Sequence, residues 1–141
     1  MTSAAVQQKA AHALSNLAAK DDNKVTIAAA GAIPPLVQLL RLGSAAEVQQ
    51  HAAGALINLA LNADNKVTIA AAGAIPLLVQ LLRLALPTWL CRPGSADLPK
   101  RFAARALQAL GYRNAENRAA ITAAGDSVDV DVLEEFQRLV I

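Results

Sequence analysis

Residues Asn23 to Arg41 read NKVTIAAAGAIPPLVQLLR, and 42 residues later Asn65 to Arg83 read NKVTIAAAGAIPLLVQLLR. Only Pro35 against Leu77 differs. The repeat continues upstream, where VQQKAAHALSNLA at Val6 to Ala18 matches VQQHAAGALINLA at Val48 to Ala60. A unit of this length cannot bury its apolar face alone, so successive units must stack into a solenoid. A solenoid without catalytic decoration offers one long surface to a partner, which points to a binding module.

The elements of one unit follow from its punctuation. Asp22 or Asn23 is placed to cap a short helix running through Ala30. Gly31 supplies a left-handed stop. Ile33-Pro34-Pro35 opens a second helix, since a first-turn proline lacks only a donor that would be unpaired there anyway. That helix is expected to end at Gly43. Ser44 and Glu47 have capping-box spacing for a longer third helix through Leu61. Val48, Ala52, Ala55, Leu56 and Leu59 give that helix an apolar stripe at spacings of three and four. A three-helix unit of this length exceeds tetratricopeptide and ankyrin repeats and falls within the roughly 40 to 47 residues of HEAT and armadillo units.

The NKVTIAAAGAIPPLVQLLR segment, followed by GSAAEVQQHAAGALINLA with its closing ALxNLA (ALSNLA, ALINLA), resembles the armadillo repeat. The resemblance covers nearly the whole chain and implies an all-α fold, a right-handed α-solenoid of three-helix repeats. In that frame residues 1–141 form one solenoid. A third helix spans 3–19, a full repeat 21–62, a repeat with a loop insertion 63–114, and a partial terminal repeat 115–141. The insertion lies around Ala85 to Asp97, ALPTWLCRPGSAD, and Pro99 is expected to start the following third helix late. In the last unit, acidic residues at Asp126, Asp129 and Asp131 suit a helix N-terminus or a polar cap.

In armadillo proteins the third helices line a concave groove, where the asparagine of ALxNLA bonds the backbone of an extended peptide. The matching positions are Asn16 and Asn58, and Ala109 stands in the third unit. The competing reading has each amide bonding a neighbouring turn of the solenoid. One turn earlier lie His12, Gly54 and Arg105, and a further set is Lys9, His51 and Phe102. Importin-alpha-like grooves carry tryptophan at the first of these sets, against basic peptides, and none is tryptophan here. Groove residues Asn16, Asn58, His12, Arg105, Lys9, His51 and Phe102 therefore imply a neutral or acidic peptide, as in a beta-catenin-type groove.

Other chemistries find little support. His12 and His51 lack an accompanying Asp, Glu or Cys at ligand spacing, so no metal and no cofactor are expected. AAAGA lacks phosphate-loop spacing. Cys91, the one cysteine, has no histidine near it in sequence. No enzyme constellation and no small-molecule substrate emerge. Arg83 to Arg118 holds seven basic residues against two acidic, but Phe102, Leu107 and Leu110 make its helix an ordinary amphipathic one, so nucleic acid is not the expected partner. Val67 to Cys91 is apolar, yet Gly73, Pro76 and Pro87 interrupt it and no membrane span is expected. A single cysteine agrees with a reducing compartment, cytoplasmic or nuclear. The expected partner is a protein or peptide. The alternative is a structural or self-associating solenoid, a homo-oligomer through apolar ends, or part of a larger armadillo protein such as a ubiquitin-ligase-associated one.

Overall fold

A computed structural model describes residues 3–41, 43–84 and 98–125. Eight helices run through them: α1 (Ala4–Leu17), α2 (Asp21–Ala29), α3 (Ile33–Gln38), α4 (Ala46–Leu59), α5 (Ala63–Ala71), α6 (Ala74–Leu84), α7 (Leu98–Gly111) and α8 (Ala115–Gly125). The described residues are all-helical, and the architecture is an α-solenoid. The third helices form one layer: α1 packs along α4 and α4 along α7. The second helix of each unit backs its own third helix, α3 on α4 and α6 on α7. The insertion around Ala85 to Asp97, with Cys91, and the acidic residues beyond Asp126 lie outside the described residues.

Small side chains make this stacking close. Ala52, Ala53 and Ala55 of α4, with Ala103, Ala104 and Ala106 of α7, are buried to within 3% of full cover. Leu56, Leu59, Leu107 and Leu110 fill the volume between them. The same alphabet is exposed at α1, where Val6 and Leu17 are 54% and 52% accessible while their counterparts Val48 and Leu59 are buried. Helix α4 has α1, α3 and α7 packed against it, whereas α1 is packed by α4 and more lightly by α2 among the described residues.

The turns obey the sequence in part. Gly31 and Gly73 have φ of 82° and 88°, the left-handed stop that only glycine adopts without strain. Gly73 also divides the apolar run from Val67, so no described helix is long and apolar enough to cross a membrane. Pro34 and Pro35 stand in the first turn of α3, and Pro99 in the first turn of α7.

Four expectations are corrected. Neither Asp22 nor Asn23 caps α2, because the helix begins earlier, with Lys20 at the N-cap and no side-chain cap. The Asn23 N–H is already spent on the Lys20 carbonyl. At the equivalent places Asn62 and Asn114 do cap, their Oδ1 atoms accepting from the N–H groups of Asn65 and Asn117. The Ser44–Glu47 capping box does not form: Ser44 sits in a turn closed by its N–H on Arg41, and Ala45 is the N-cap of α4. Gln49 instead turns back, donating from Nε2 to the Arg41 carbonyl at 2.8 Å. The second helix stops at Gln38 rather than near Gly43, its end tightened by i to i+3 bonds from Leu40 to Val37 and Arg41 to Gln38. The third helix ends at Leu59, leaving Leu61 exposed in the turn.

An amide ladder joins the units. Asn65 Nδ2 donates to the Leu59 carbonyl, at the end of α4, and to the Lys24 carbonyl of the preceding unit, at 3.0 and 3.1 Å. Asn117 repeats this on Leu110 and Lys66 at 3.0 and 3.2 Å. Asn23 makes only the first of the two bonds, on Leu17 at 2.9 Å. Both full rungs are buried, where an unmatched amide would be costly.

Candidate peptide-binding face

Residues that diverge between copies gather on the third-helix layer. His12 of α1 and His51 of α4 stack at 4.7 Å between ring centroids with 30° between planes. They meet because α4 is offset by one turn against α1, so that Lys9, the sequence counterpart of His51, is not its neighbour. Partial burial is the chief cause of a lowered His51 pKa, with the His12 ring adding to it and Glu47 opposing. Stacking against a neutral imidazole is thereby favoured. Lys9 and His12 are exposed on the same helix.

The two groove asparagines differ. Asn16 is exposed, and its side chain forms no hydrogen bond among the described residues. Asn58 is half-buried and donates from Nδ2 to the Ser15 carbonyl at 2.8 Å, with Ser15 Oγ farther off at 3.4 Å. That is the neighbouring-turn bond considered as the competing reading. It uses the donor half of the amide and leaves Oδ1 without a protein donor among the described residues.

Phe102 is half-buried and packs onto the core rather than standing free. Its ring lies over Gly54, where an added Cβ would meet Phe102 Cε1 and Ser15 Oγ, each at 3.5 Å. Glycine therefore leaves a shallow place between α1, α4 and α7. Arg105 is exposed one turn on from Phe102 and lines a cleft of about 520 Å³ between α4, α5 and the end of α7. Gln108, Tyr112, Arg113 and Lys66 also line it; the sequence places Tyr112 and Arg113 only in the basic run weighed for nucleic acid, and gives no sign of Gln108 and Lys66. A signal for the first pair existed: ALINLALN and ALQALGYRN differ in length by one residue at Tyr112–Arg113.

Among the described residues there is no group of three or more His, Cys, Asp or Glu side chains that could hold a metal ion. Histidine rings stacked face on present their nitrogens sideways, which is an arrangement for packing and for hydrogen bonding to a ligand.

Comparison with known proteins bears on this face. The family model described as Armadillo/beta-catenin-like repeat matches residues 20–61. No curated protein matches the chain. Among solved structures, one engineered protein is 30% identical with a TM-score of 0.77, the match covering 98% of this chain and 56% of that one. A second engineered protein is 33% identical with a TM-score of 0.75, covering 89% of this chain and 28% of that one. A computationally designed armadillo repeat protein for modular peptide recognition is 28% identical with a TM-score of 0.72, covering 89% of this chain and 49% of that one. The chain thus spans about half the length of these structures, or less.

Proposed function

We propose that this chain of armadillo repeats is a protein-binding module that holds an extended, neutral or acidic peptide across α1, α4 and α7. Asn16 and the Oδ1 of Asn58 bond the peptide backbone. His12, His51, Lys9 and Arg105 set the charge of the face, and Phe102 gives it an apolar floor. The observation that carries this reading is the convergence of the diverging residues on one layer: His12 on His51, Phe102 beside Gly54, and Asn58 on Ser15. Side chains under pressure only to pack would follow the near-identity of the flanking helices. The cationic and titratable character of the layer opposes a Lys- or Arg-rich ligand. The lone cysteine suits work in the cytoplasm or nucleus, with no chemistry of the module's own.

The test is selection of a displayed random-peptide library on the full chain, followed by fluorescence anisotropy with the enriched peptides. Asn16→Ala is the decisive variant, because that side chain has no bond to lose among the described residues. Binding should weaken about tenfold, the worth of one or two backbone hydrogen bonds, while the thermal midpoint stays unchanged. Enrichment of basic peptides would overturn the charge assignment. Unchanged affinity in Asn16→Ala would overturn the asparagine roles.

A further inference from the structure

The turn between α7 and α8 is one residue longer than its counterpart. Leu59-Ala60-Leu61-Asn62 leads into α5, whereas Leu110-Gly111-Tyr112-Arg113-Asn114 leads into α8. The extra residue is taken up by a left-handed backbone at Arg113, with φ of 54°, a region that a residue bearing a Cβ enters against steric resistance. Asn114 and Asn117 keep their places in the cap and the ladder, so the added length is expelled outward.

What is expelled is a cationic wall. The Tyr112 ring, 61% exposed, has Lys66 Nζ 5.0 Å and the Arg113 guanidinium 5.3 Å from its centroid. Lys66 Nζ donates to the Tyr112 carbonyl, tying the turn to α5. Arg105 and Gln108 stand on the α7 side of the same cleft, with Ile57 of α4 opposite. Three cations thus share a cleft that no carboxylate among the described residues lines. Burial and the nearby Arg113 charge both lower the Lys66 pKa. The cleft is large enough for one side chain and opens beside Ala109, where the third unit lacks the backbone-binding asparagine.

We propose that this cleft is a carboxylate subsite, receiving an aspartate or glutamate side chain of the bound peptide. Arg105 and Arg113 pair with the carboxylate, Gln108 donates an amide N–H, and Ile57 with the Tyr112 ring encloses the methylene stem. At this unit the module reads a side chain where the two earlier units offer an amide to the backbone. One acid in the peptide then fixes its register. This inference rests on the peptide-binding reading above.

The probe is a library-enriched peptide containing an aspartate or glutamate, compared with the same peptide carrying the amide in its place. On the native chain the amide peptide should bind about tenfold or more weakly, the scale of a charge-assisted contact. On the double variant Arg105→Gln, Arg113→Gly the two peptides should bind alike. Arg113→Gly is chosen because glycine takes the left-handed backbone without strain, and Arg105→Gln retains a good helix former on an exposed face. An equal acid-to-amide loss on both proteins would overturn the subsite, as would enriched peptides with no acid. A peptide weakened by Asn16→Ala but indifferent to the arginines would remove the subsite and leave the groove reading standing. Failure to enrich any peptide would remove both. Displacement by inorganic phosphate but not by acetate at equal concentration would assign the cleft to a phosphoryl group and overturn the carboxylate assignment.

Discussion

The amide at Asn65 tests how the units are held together. It is 3% exposed and its Nδ2 serves two carbonyls of the preceding unit, one in its first helix and one at the end of its third. The Leu59 carbonyl also accepts the Asn62 N–H, so Asn65→Ala leaves it one partner. The loss is then about 1 kcal/mol for each bond, about 2 kcal/mol in all. Asn23→Ala removes one bond at a half-buried position and should cost about 1 kcal/mol or less. Asn65→Asp has nearly the same shape but sets a buried carboxylate against two acceptors, at about 3 to 5 kcal/mol near neutral pH. For a chain of this size each kcal/mol shifts the melting midpoint by about 3 to 4 °C. Urea titrations followed by circular dichroism should therefore order the stabilities wild type, Asn23→Ala, Asn65→Ala, Asn65→Asp. If Asn65→Ala costs no more than Asn23→Ala, or if Asn65→Asp is as mild as Asn65→Ala, the ladder does not couple the units and the reasoning fails.

Further expectations follow from burial, backbone and charge. Leu59→Ala should cost about 2.7 to 5 kcal/mol and Leu17→Ala well under half of that in the same titration, since Leu59 is fully covered and Leu17 is 52% exposed; equal costs would mean that a second copy covers α1. Gly31→Ala should destabilise by about 1 kcal/mol through its backbone alone, because an added Cβ meets nothing within 4 Å, whereas Arg113→Gly should be neutral or stabilising. His51 has a folded-state pKa below its ordinary 6.5, so its contribution is fully present above pH 6.5 and lost as pH falls through the lowered value. An NMR titration should place its midpoint below 6.5, and His51→Gln should flatten the melting midpoint across that interval; a midpoint above 6.5 would contradict the stacking account.

The repeat was sufficient for the architecture, because an interval and an apolar stripe are properties of composition along the chain. Gly31 and the Pro34-Pro35 start were legible for the same reason: each follows from what one residue permits at its own position. The caps were not. Asn23 looks like an N-cap from its neighbours, but the helix begins a turn earlier and frees the side chain for the ladder, a role set by a carbonyl 6 residues away and, at Asn65, by one 41 away. Ser44 and Glu47 have the right spacing, yet helix entry at Ala45 makes the spacing irrelevant. The site residues were legible as positions of divergence but not as neighbours. The pairing of His12 with His51 depends on the one-turn offset between helices, which no alignment of the copies contains. The Tyr112–Arg113 cleft arises only where α4, α5 and the end of α7 meet around a left-handed Arg113, a juxtaposition that no single copy carries.

Lys24 and Lys66 occupy the same place in nearly identical segments, and each is buried. Lys24 turns back towards the end of the preceding third helix, bonding the Ala19 carbonyl and the Asp21 carboxylate at 3.2 and 2.8 Å, and its ammonium holds the Asp21 carboxyl below its usual range. Lys66, with Ala63 where the first copy has Asp21, reaches the Tyr112 carbonyl of the next turn. In a nearest-neighbour description of the stack, the first lysine links its unit to the third helix before it, and the second closes its own unit by reaching that unit's last turn. The two copies are therefore not exchangeable parts. Transposing them would deprive Lys24 of its carboxylate partner and set an aspartate beside the lysine that reaches Tyr112. A single exchanged side chain has given a duplicated array a fixed order.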